Sequence, residues 1–125
     1  MILPILSYGN SILKKKAIPI SINKNILKTI INNMWDTMYA AQGVGLAAPQ
    51  IGESIRLFIV DTYPFSDNED LSFDERNFLK GFKKAFINPE IIEENGKECF
   101  FNEGCLSIPG IREDVKRKAS ITIKF

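Results

Sequence analysis

The chain has 125 residues, of which 45% are hydrophobic and 25% charged, and this composition is typical of one folded domain and excludes intrinsic disorder. A net charge of +1 argues against a general affinity for nucleic acid or anionic membranes, and no apolar stretch reaches the ~20 residues that cross a bilayer. The first residues lack the basic leader of a secretory signal, so the cytoplasm is the expected location.

The most restrictive feature of the composition is that the chain contains no histidine. Histidine metal ligands, histidine general bases and Ser-His or Cys-His nucleophile pairs are therefore excluded within these residues. The two cysteines, Cys99 and Cys105, are six apart, which matches no common zinc-binding or thioredoxin-type spacing. We expect independent thiols in a reducing compartment.

The clearest predicted element is a helix over residues 26–41. Asn23 or Asn25 is expected to cap its start, and Gly43 follows its end, where a left-handed residue commonly terminates a helix. The apolar side chains recur at spacings of three and four, which predicts one face packed into the core: Leu27, Ile30, Ile31, Met34, Trp35 and Met38.

A buried strand is predicted at residues 55–61, followed by a polar, acidic segment at residues 62–81. We interpret that segment as a long solvated loop with one helical turn around residues 73–79, and cation or partner binding is the alternative. Short strands are then predicted at four places: residues 85–88, 90–94, 97–101 and 120–125.

Two details of these strands are specific enough to be tested by a structure. Glu94, Asn95 and Gly96 are predicted to form a turn between the second and third strands. Cys99 is expected to pack into the core. The alternating polar and apolar residues at 120–125 predict that the chain ends inside a strand and is truncated there.

Two segments carry residues suited to chemistry, and the first, at residues 43–50, reads GVGLAAPQ. Its two glycines permit positive φ angles and the close approach of another backbone. A helix precedes this segment and a strand follows it, the reverse of the order in phosphate-binding glycine motifs, so a phosphate loop is disfavoured. Taken alone, an ordinary helix-to-strand turn remains open.

The second segment, at residues 103–110, reads EGCLSIPG. A cysteine directly after glycine is accessible from one side, which suits a thiolate that binds a metal or attacks a carbonyl. A buried free cysteine in a tight turn remains open. A thiol hydrolase is disfavoured, because no histidine is present to activate Cys105.

Together, the two segments resemble the first two motifs of peptide deformylases, metal amidases that remove the formyl group from N-terminal formylmethionine of new polypeptides. Residues 43–50 are similar to the first motif, and residues 103–107 are similar to the second, which holds a metal-ligating cysteine. The opening Ile2-Leu3-Pro4 and the helix before Gly43 also fit the family pattern. The resemblance therefore extends over essentially the whole chain.

The resemblance implies the chemical role of three residues. Cys105 would be the thiolate ligand of a divalent metal, ferrous iron in the family with zinc or nickel able to substitute, whose bound water becomes the attacking hydroxide. The side-chain amide of Gln50 and the backbone amide of Leu106 would stabilise the oxyanion that forms.

It also implies how a substrate would bind. Gly43, Val44 and Gly45 would form an extended edge that pairs with the substrate backbone like an added strand. Glu103 and Arg112 match family positions near the site and would support substrate binding, although an ordinary surface ion pair remains open for each.

The sequence departs from the family pattern at the third motif, His-Glu-x-x-His on a second helix. That motif supplies two metal ligands and the glutamate that moves a proton from water to the leaving amine. With one ligand where a catalytic site usually needs three, we expect weak metal binding and no appreciable activity from the isolated chain.

The fold expected from the resemblance is α+β, with antiparallel β-sheets around one long N-terminal helix. A single deformylase-like domain would occupy residues 1–125 and lack the C-terminal catalytic helix. The expected function is deformylation of nascent chains, with the N-formylmethionyl peptide and, through it, the ribosome as partners. The alternative is a non-catalytic remnant or fragment that binds at most a peptide or protein through the Gly43 edge.

Overall fold

The computed structural model describes residues 1–125 and has the expected α+β architecture, in which antiparallel sheets accompany one long helix. Neither α-helix has the length and apolar character that crossing a membrane would demand. Three short 3-10 helices occur at Ser11–Leu13, Ala48–Ile51 and Tyr63–Asp67. The other elements are α1 (Lys24–Ala40), β1 (Gly45–Ala47), β2 (Leu57–Asp61), α2 (Phe73–Gly81), β3 (Lys83–Ile87), β4 (Glu90–Cys105) and β5 (Ile108–Lys124).

The core forms where α1 packs on the first sheet. Asn23 caps the helix, as predicted, by accepting a hydrogen bond from the backbone amide of Asn25 at 2.7 Å. Met34 and Met38 are fully buried, which confirms the predicted apolar face. They cluster with buried residues of the first sheet and the turn after β1: Leu46, Ala48, Leu57 and Ile59.

The end of α1 differs from the prediction. The left-handed residue is Gln42, with φ of 56°, and not Gly43. Neither Gly43 nor Gly45 has a positive φ. Gly43 instead permits a close approach, because a Cβ atom there would lie 2.6 Å from Cδ1 of Leu106.

The first sheet has the order β1-β2-β3, with both pairs antiparallel. The predicted buried strand at residues 55–61 is confirmed as β2, which starts two residues later at Leu57. Because β2 is central, β1 has one edge that no strand of this sheet covers. That edge lies at the functional cleft described below.

The second sheet is the hairpin formed by β4 and β5, and the turn predicted at residues 94–96 is wrong. β4 continues through it as one strand, with a register shift between Asn95 and Glu98. Gly96 has φ of 86°, which accommodates an irregularity of β-bulge type without reversing the chain. A glycine that suggests a turn in the sequence therefore interrupts the pairing only locally.

Cys99 is exposed, so the prediction that it packs into the core is also wrong. Most side chains of β4 and β5 are exposed, because no second layer covers most of the hairpin. A strand pattern indicates burial only where a second layer covers the sheet.

The segment at residues 62–81 contains more structure than the predicted solvated loop. It forms the 3-10 helix Tyr63–Asp67 and then the nine-residue helix α2. Ser72 caps α2 by accepting a hydrogen bond from the amide of Glu75 at 3.2 Å, and the hydroxyl of Thr62 donates to the carbonyl of Leu79 at 2.7 Å. A serine followed three residues later by glutamate is a helix-start pattern that outweighs the acidic composition.

Candidate active site

A cleft of about 870 Å³ lies between the segment that joins α1 to β1 and the tip of the β4–β5 hairpin. The side chains of Phe65, Phe101 and Ile111 form an apolar part of its wall. Every residue predicted for the site lines this cleft: Gly43, Val44, Gly45, Gln50, Glu103, Cys105, Leu106 and Arg112. The structure thus brings together two motifs that are more than fifty residues apart in the sequence.

The side chain of Gln50 is oriented by its own turn. Its Oε1 accepts a hydrogen bond from the backbone amide of Ala47 at 3.0 Å, so its Nε2 points the other way. That Nε2 donates to Oγ of Ser107 at 3.1 Å and lies 3.8 Å from Sγ of Cys105. The backbone amide of Leu6 donates to the carbonyl of Gln50 at 2.8 Å and fixes the turn from behind.

Cys105 is the last residue of β4 and is exposed in the cleft, which rules out a buried thiol in a tight turn. Leu106 and Ser107 connect it to β5. The backbone amide of Leu106 donates to no acceptor within residues 1–125. A free amide and the Gln50 side chain are therefore both available beside the sulfur atom.

The segment from Gly43 to Gly45 forms one wall of the cleft. Its backbone is held on the sheet side, because the amide of Asp61 donates to the carbonyl of Val44 at 2.8 Å and Gly45 pairs with Val60. The opposite edge of β1 has no strand beside it. An extended peptide can add to such an edge through backbone hydrogen bonds.

Glu103 and Arg112 both line the cleft, but they pair with other residues and not with each other. Both carboxylate oxygens of Glu103 accept hydrogen bonds from Arg117 at 2.9 Å. The Arg117 hydrogen bond outweighs partial burial and holds the pKa of Glu103 below its ordinary value, so this group is ionised at neutral pH. Arg112 donates to the side chain and the carbonyl of Asn102 at 2.6 and 2.9 Å.

A second hydrogen-bonded pair joins α1 to β2 behind the Gly43 segment. The hydroxyl of Tyr39 donates to Asp61 at 2.6 Å. Burial, then the hydrogen bond to Asp61 and its negative charge, raise the pKa of Tyr39 to about 12. For Asp61, burial favours the neutral acid, but hydrogen bonds from Tyr39 and the Tyr63 amide and the charge of Lys83 outweigh it and lower its pKa.

Comparison with known proteins shows which family the chain resembles. The family model for polypeptide deformylase matches residues 2–125. The chain belongs to the polypeptide deformylase family. It is 57% identical to the peptide deformylase of Flavobacterium johnsoniae and 56% identical to that of Christiangramia forsetii, in each case over the whole of this chain.

The solved structures of the family agree. A peptide deformylase from Thermotoga maritima superimposes with a TM-score of 0.80 at 35% identity, over 100% of this chain and 74% of that one. An actinonin-bound class I type b deformylase from Acinetobacter baumannii also gives a TM-score of 0.80, at 34% identity and with the same coverage. The chain spans 64% of the length of the Flavobacterium and Christiangramia relatives.

Polypeptide deformylases depend on a metal, and the donor set of this cleft can be compared with that requirement. Cys105 offers one exposed sulfur beside Gln50, whereas the carboxylate of Glu103 is occupied by Arg117. No three Cys, Asp or Glu side chains of residues 1–125 cluster closely enough to hold an ion. These residues fit one ligand position of a metal and not a complete centre.

Several residues at the site were missed by sequence reasoning. Ser107 was seen only as part of a motif, although it accepts a hydrogen bond from Gln50. Arg117 lies in a run of three basic residues at 116–118, and nothing in that run indicates Glu103 as its partner. Asn102 and Phe65 carried no sequence signal, because their positions depend on strand register and on an unpredicted helix.

Proposed function

We propose that this chain forms the peptide-binding and oxyanion-stabilising part of a peptide deformylase, which hydrolyses the formyl group from N-terminal formylmethionine of newly made proteins. The observation that carries the proposal is the orientation of Gln50, whose Nε2 is directed at Cys105 by the bond from the Ala47 amide to its Oε1. The family membership of the chain supports the same reaction.

The two hydrogen-bond donors of the cleft suit this chemistry. In hydrolysis, water adds to the formyl carbon, the carbonyl oxygen becomes negative, and the C–N bond then breaks to give formate and a free amine. We assign the side-chain amide of Gln50 and the backbone amide of Leu106 to that oxygen. Donors fixed in place before the reaction stabilise the developing charge without reorganising.

We assign Cys105 one ligand position of the family's divalent metal, for which ferrous iron is the proposed ion and zinc or nickel the substitutes. Its thiol is exposed at the end of β4, where an ion could be shared with further ligands. With a single protein ligand, we propose that residues 1–125 alone turn over no formylated peptide.

Substrate binding is assigned to the open edge of β1 and to the charged rim. Gly43, Val44 and Gly45 would pair with the backbone of the nascent peptide, as in strand addition. We assign Glu103 a structural role in the wall through Arg117, and Arg112 a polar contact to the peptide, because both side chains line the cleft. We propose the cytoplasm as the location and the ribosome as a partner, because the proposed substrate is a newly made chain.

A second candidate is peptide binding without hydrolysis. The observation in its favour is that the cleft offers only Cys105 as a free metal ligand. The carboxylate of Glu103, the other side chain of the cleft that could bind a metal, is ion-paired with Arg117. Both candidates require the same peptide edge, and they differ in whether that edge serves a hydrolytic reaction.

Equilibrium binding of three matched peptides tests the proposal. Formyl-Met-Ala-Ser-amide should bind more tightly than its free-amine counterpart, which lacks the carbonyl oxygen, and than its acetyl counterpart, which carries an additional methyl group. Gln50→Leu should reduce the preference over the free amine at least about fivefold, since it deletes the oriented donor. Cys99→Ser, an exposed site outside the cleft, serves as the matched control and should keep the preference. Equal affinity for the formyl and free-amine peptides would contradict the proposal.

Both candidates predict no turnover by residues 1–125 alone, and an assay of formate release tests this expectation. Formate release from the same formyl peptide should be undetectable with the purified chain in the presence of ferrous, nickel or zinc ions. Measurable release that disappears in Cys105→Ser would show that the chain is itself an enzyme.

A further inference from the structure

The segment that leads from α1 into β1 is anchored at two points to Asp61, the last residue of β2. The backbone amide of Asp61 donates to the carbonyl of Val44 at 2.8 Å, in the middle of the Gly43–Gly45 edge. The carboxylate of Asp61 accepts a hydrogen bond at 2.6 Å from the hydroxyl of Tyr39, which lies in the last turn of α1. One residue thus holds both ends of the stretch from Tyr39 to Val44.

The turn between these two anchor points has an unusual backbone conformation. Gln42 has φ of 56°, a left-handed value that a residue with a Cβ atom rarely adopts. Backbone amides close the turn, from Gln42 to the carbonyl of Tyr39 at 3.0 Å and from Gly43 to that of Met38 at 2.9 Å. Conformations of this kind persist where surrounding contacts determine them. A bond that fixes Tyr39 relative to Val44 therefore also fixes the path of the turn.

The phenol ring of Tyr39 is itself held by two neighbours. It stacks on Trp35, one helical turn earlier, with ring centroids 5.9 Å apart and an angle of 19° between the ring planes. Nζ of Lys83 lies 4.6 Å from the ring centroid of Trp35 and 5.4 Å from that of Tyr39. Ring stacking and cation–π contacts restrict the tyrosine ring, so its hydroxyl stays directed at Asp61.

Both oxygens of the Asp61 carboxylate have hydrogen-bond donors. Oδ2 accepts from Tyr39, and Oδ1 accepts from the backbone amide of Tyr63 at 3.0 Å. Lys83 pairs with Asp61 across the first sheet and brings a positive charge near the carboxylate. Hydrogen bonds to an ionised acceptor are stronger than those between neutral groups. Neither Tyr39 nor Asp61 lines the cleft, so an effect of this pair on a ligand has to pass through the segment that the pair holds.

We propose that Tyr39 and Asp61 are positioning residues of the peptide site, which hold the Gly43–Gly45 edge where an extended peptide can pair with it. This inference rests on the proposed function, since it takes that edge to bind the peptide. The two side chains touch no substrate atom. They set the fraction of molecules whose edge is in the binding position, and the measured affinity falls in proportion to that fraction.

The affinity for formyl-Met-Ala-Ser-amide tests the positioning role. Tyr39→Phe, which removes only the hydroxyl, should weaken binding about fivefold, which corresponds to an edge that is in the binding position about one fifth of the time. Asp61→Ala should weaken binding at least as much, although it keeps the backbone amide that donates to Val44. Asp61→Asn should retain most of the affinity, because its side-chain oxygen can accept from Tyr63 while its nitrogen donates to the hydroxyl of Tyr39.

Asn23→Ala is the matched control for a general loss of stability. It removes the cap at the opposite end of α1, about 24 Å along the helix from Tyr39. The urea midpoint should fall at least as far as in Tyr39→Phe, whereas the affinity for the peptide should stay unchanged. Equal losses of affinity in the two variants would show that the Tyr39 hydroxyl acts only through stability, and the positioning role would be overturned.

Hydrogen exchange of the Asp61 amide measures the position of the edge without a peptide. The reference is the Arg56 amide, which lies just before β2 and donates to the carbonyl of Ile18 at 2.8 Å. The exchange rate of the Asp61 amide relative to this reference should rise at least about fivefold in Tyr39→Phe, because its bond to Val44 opens more often. The same ratio should stay unchanged in Asn23→Ala.

The outcomes separate this inference from the proposed function. If the unmodified chain binds the peptide and Tyr39→Phe binds it equally well, the positioning role is overturned and the proposed function stands. Weaker binding by Tyr39→Phe without faster exchange at Asp61 would also overturn the positioning role, since the edge would not have moved. If the unmodified chain binds no formylated peptide, the proposed function fails and the positioning role fails with it.

Discussion

The side-chain amide of Gln50 has only one favourable orientation, because the Ala47 amide can donate to its oxygen and not to its nitrogen. This is how a sequence motif becomes a site: the same short segment supplies both the donor and the constraint on it. The predicted site residues all line one cleft, since residue type and motif spacing carry that information. The partners of Glu103 and Arg112 could not be predicted, because they depend on the register of β4 with β5.

The close approach of Gly43 to Leu106 gives a prediction at the residue scale. A Cβ atom at position 43 would lie 2.6 Å from the Leu106 side chain, so Gly43→Ala should lower the free energy of unfolding by about 1–2 kcal/mol and weaken binding of formyl-Met-Ala-Ser-amide. Urea unfolding and peptide titration measure both effects.

Gly81→Ala is the control for this change. Gly81 ends α2, has no positive φ, and has no atom within 4 Å of the added Cβ, so its replacement should leave stability unchanged or raise it by up to about 1 kcal/mol. Equal stability of the two variants would show that Gly43 is not needed for the close approach.

At the scale of elements, the spacing of apolar residues predicted the helices and strands that a second layer covers. Helix α1 and strand β2 both pack in the core and were predicted closely. Periodicity failed for the β4–β5 hairpin, where no layer forces a pattern, and there Gly96 suggested a turn. It underestimated α2, which was predicted as one helical turn at residues 73–79 within a loop, because the sequence is exposed and acidic and the order of the helix depends on bonds to Tyr63–Asp67 and Thr62.

The hydrogen bond from Tyr39 to Asp61, which ties α1 to β2, predicts a pH dependence of stability. The pKa of Tyr39 is raised to about 12 in the folded chain, from an ordinary value near 10 in the unfolded one. A raised pKa means that the stabilisation is complete below pH 10 and is lost as the pH rises from about 10 to 12. The urea midpoint should therefore fall more steeply over this range in the unmodified chain than in Tyr39→Phe.

Tyr8→Phe is the matched control, because Tyr8 is 73% exposed and its hydroxyl has no partner within the chain. At pH 8, Tyr39→Phe should be less stable than Tyr8→Phe by about 0.5 kcal/mol, a modest amount because Tyr39 is itself 45% exposed. Parallel loss of stability in both variants above pH 10 would contradict the role of this bond.

At the scale of the whole molecule, the cleft depends on two sheets that do not pair with each other. The first sheet, with the segments on either side of β1, carries Gly43, Gly45 and Gln50. The β4–β5 hairpin carries Cys105 and Phe101. The backbone bond from Tyr8 to the carbonyl of Ser107 at 2.9 Å and the side-chain bond from Gln50 to Ser107 link the tip of the hairpin to the rest of the chain. That residues 1–125 form a single domain stays a prediction.

A formylated peptide should bind with its formyl group between Gln50 and Leu106, and amide chemical shifts measure this directly. Titration of isotopically labelled chain with formyl-Met-Ala-Ser-amide should shift the side-chain amide of Gln50 and the backbone amides of Leu106, Gly43 and Gly45 in one saturable process. The free-amine peptide should shift Gly43 and Gly45 but affect Gln50 and Leu106 much less, because it lacks the carbonyl oxygen that would accept from them. Saturable shifts that leave Gln50 and Leu106 unchanged with the formyl peptide would contradict this binding mode.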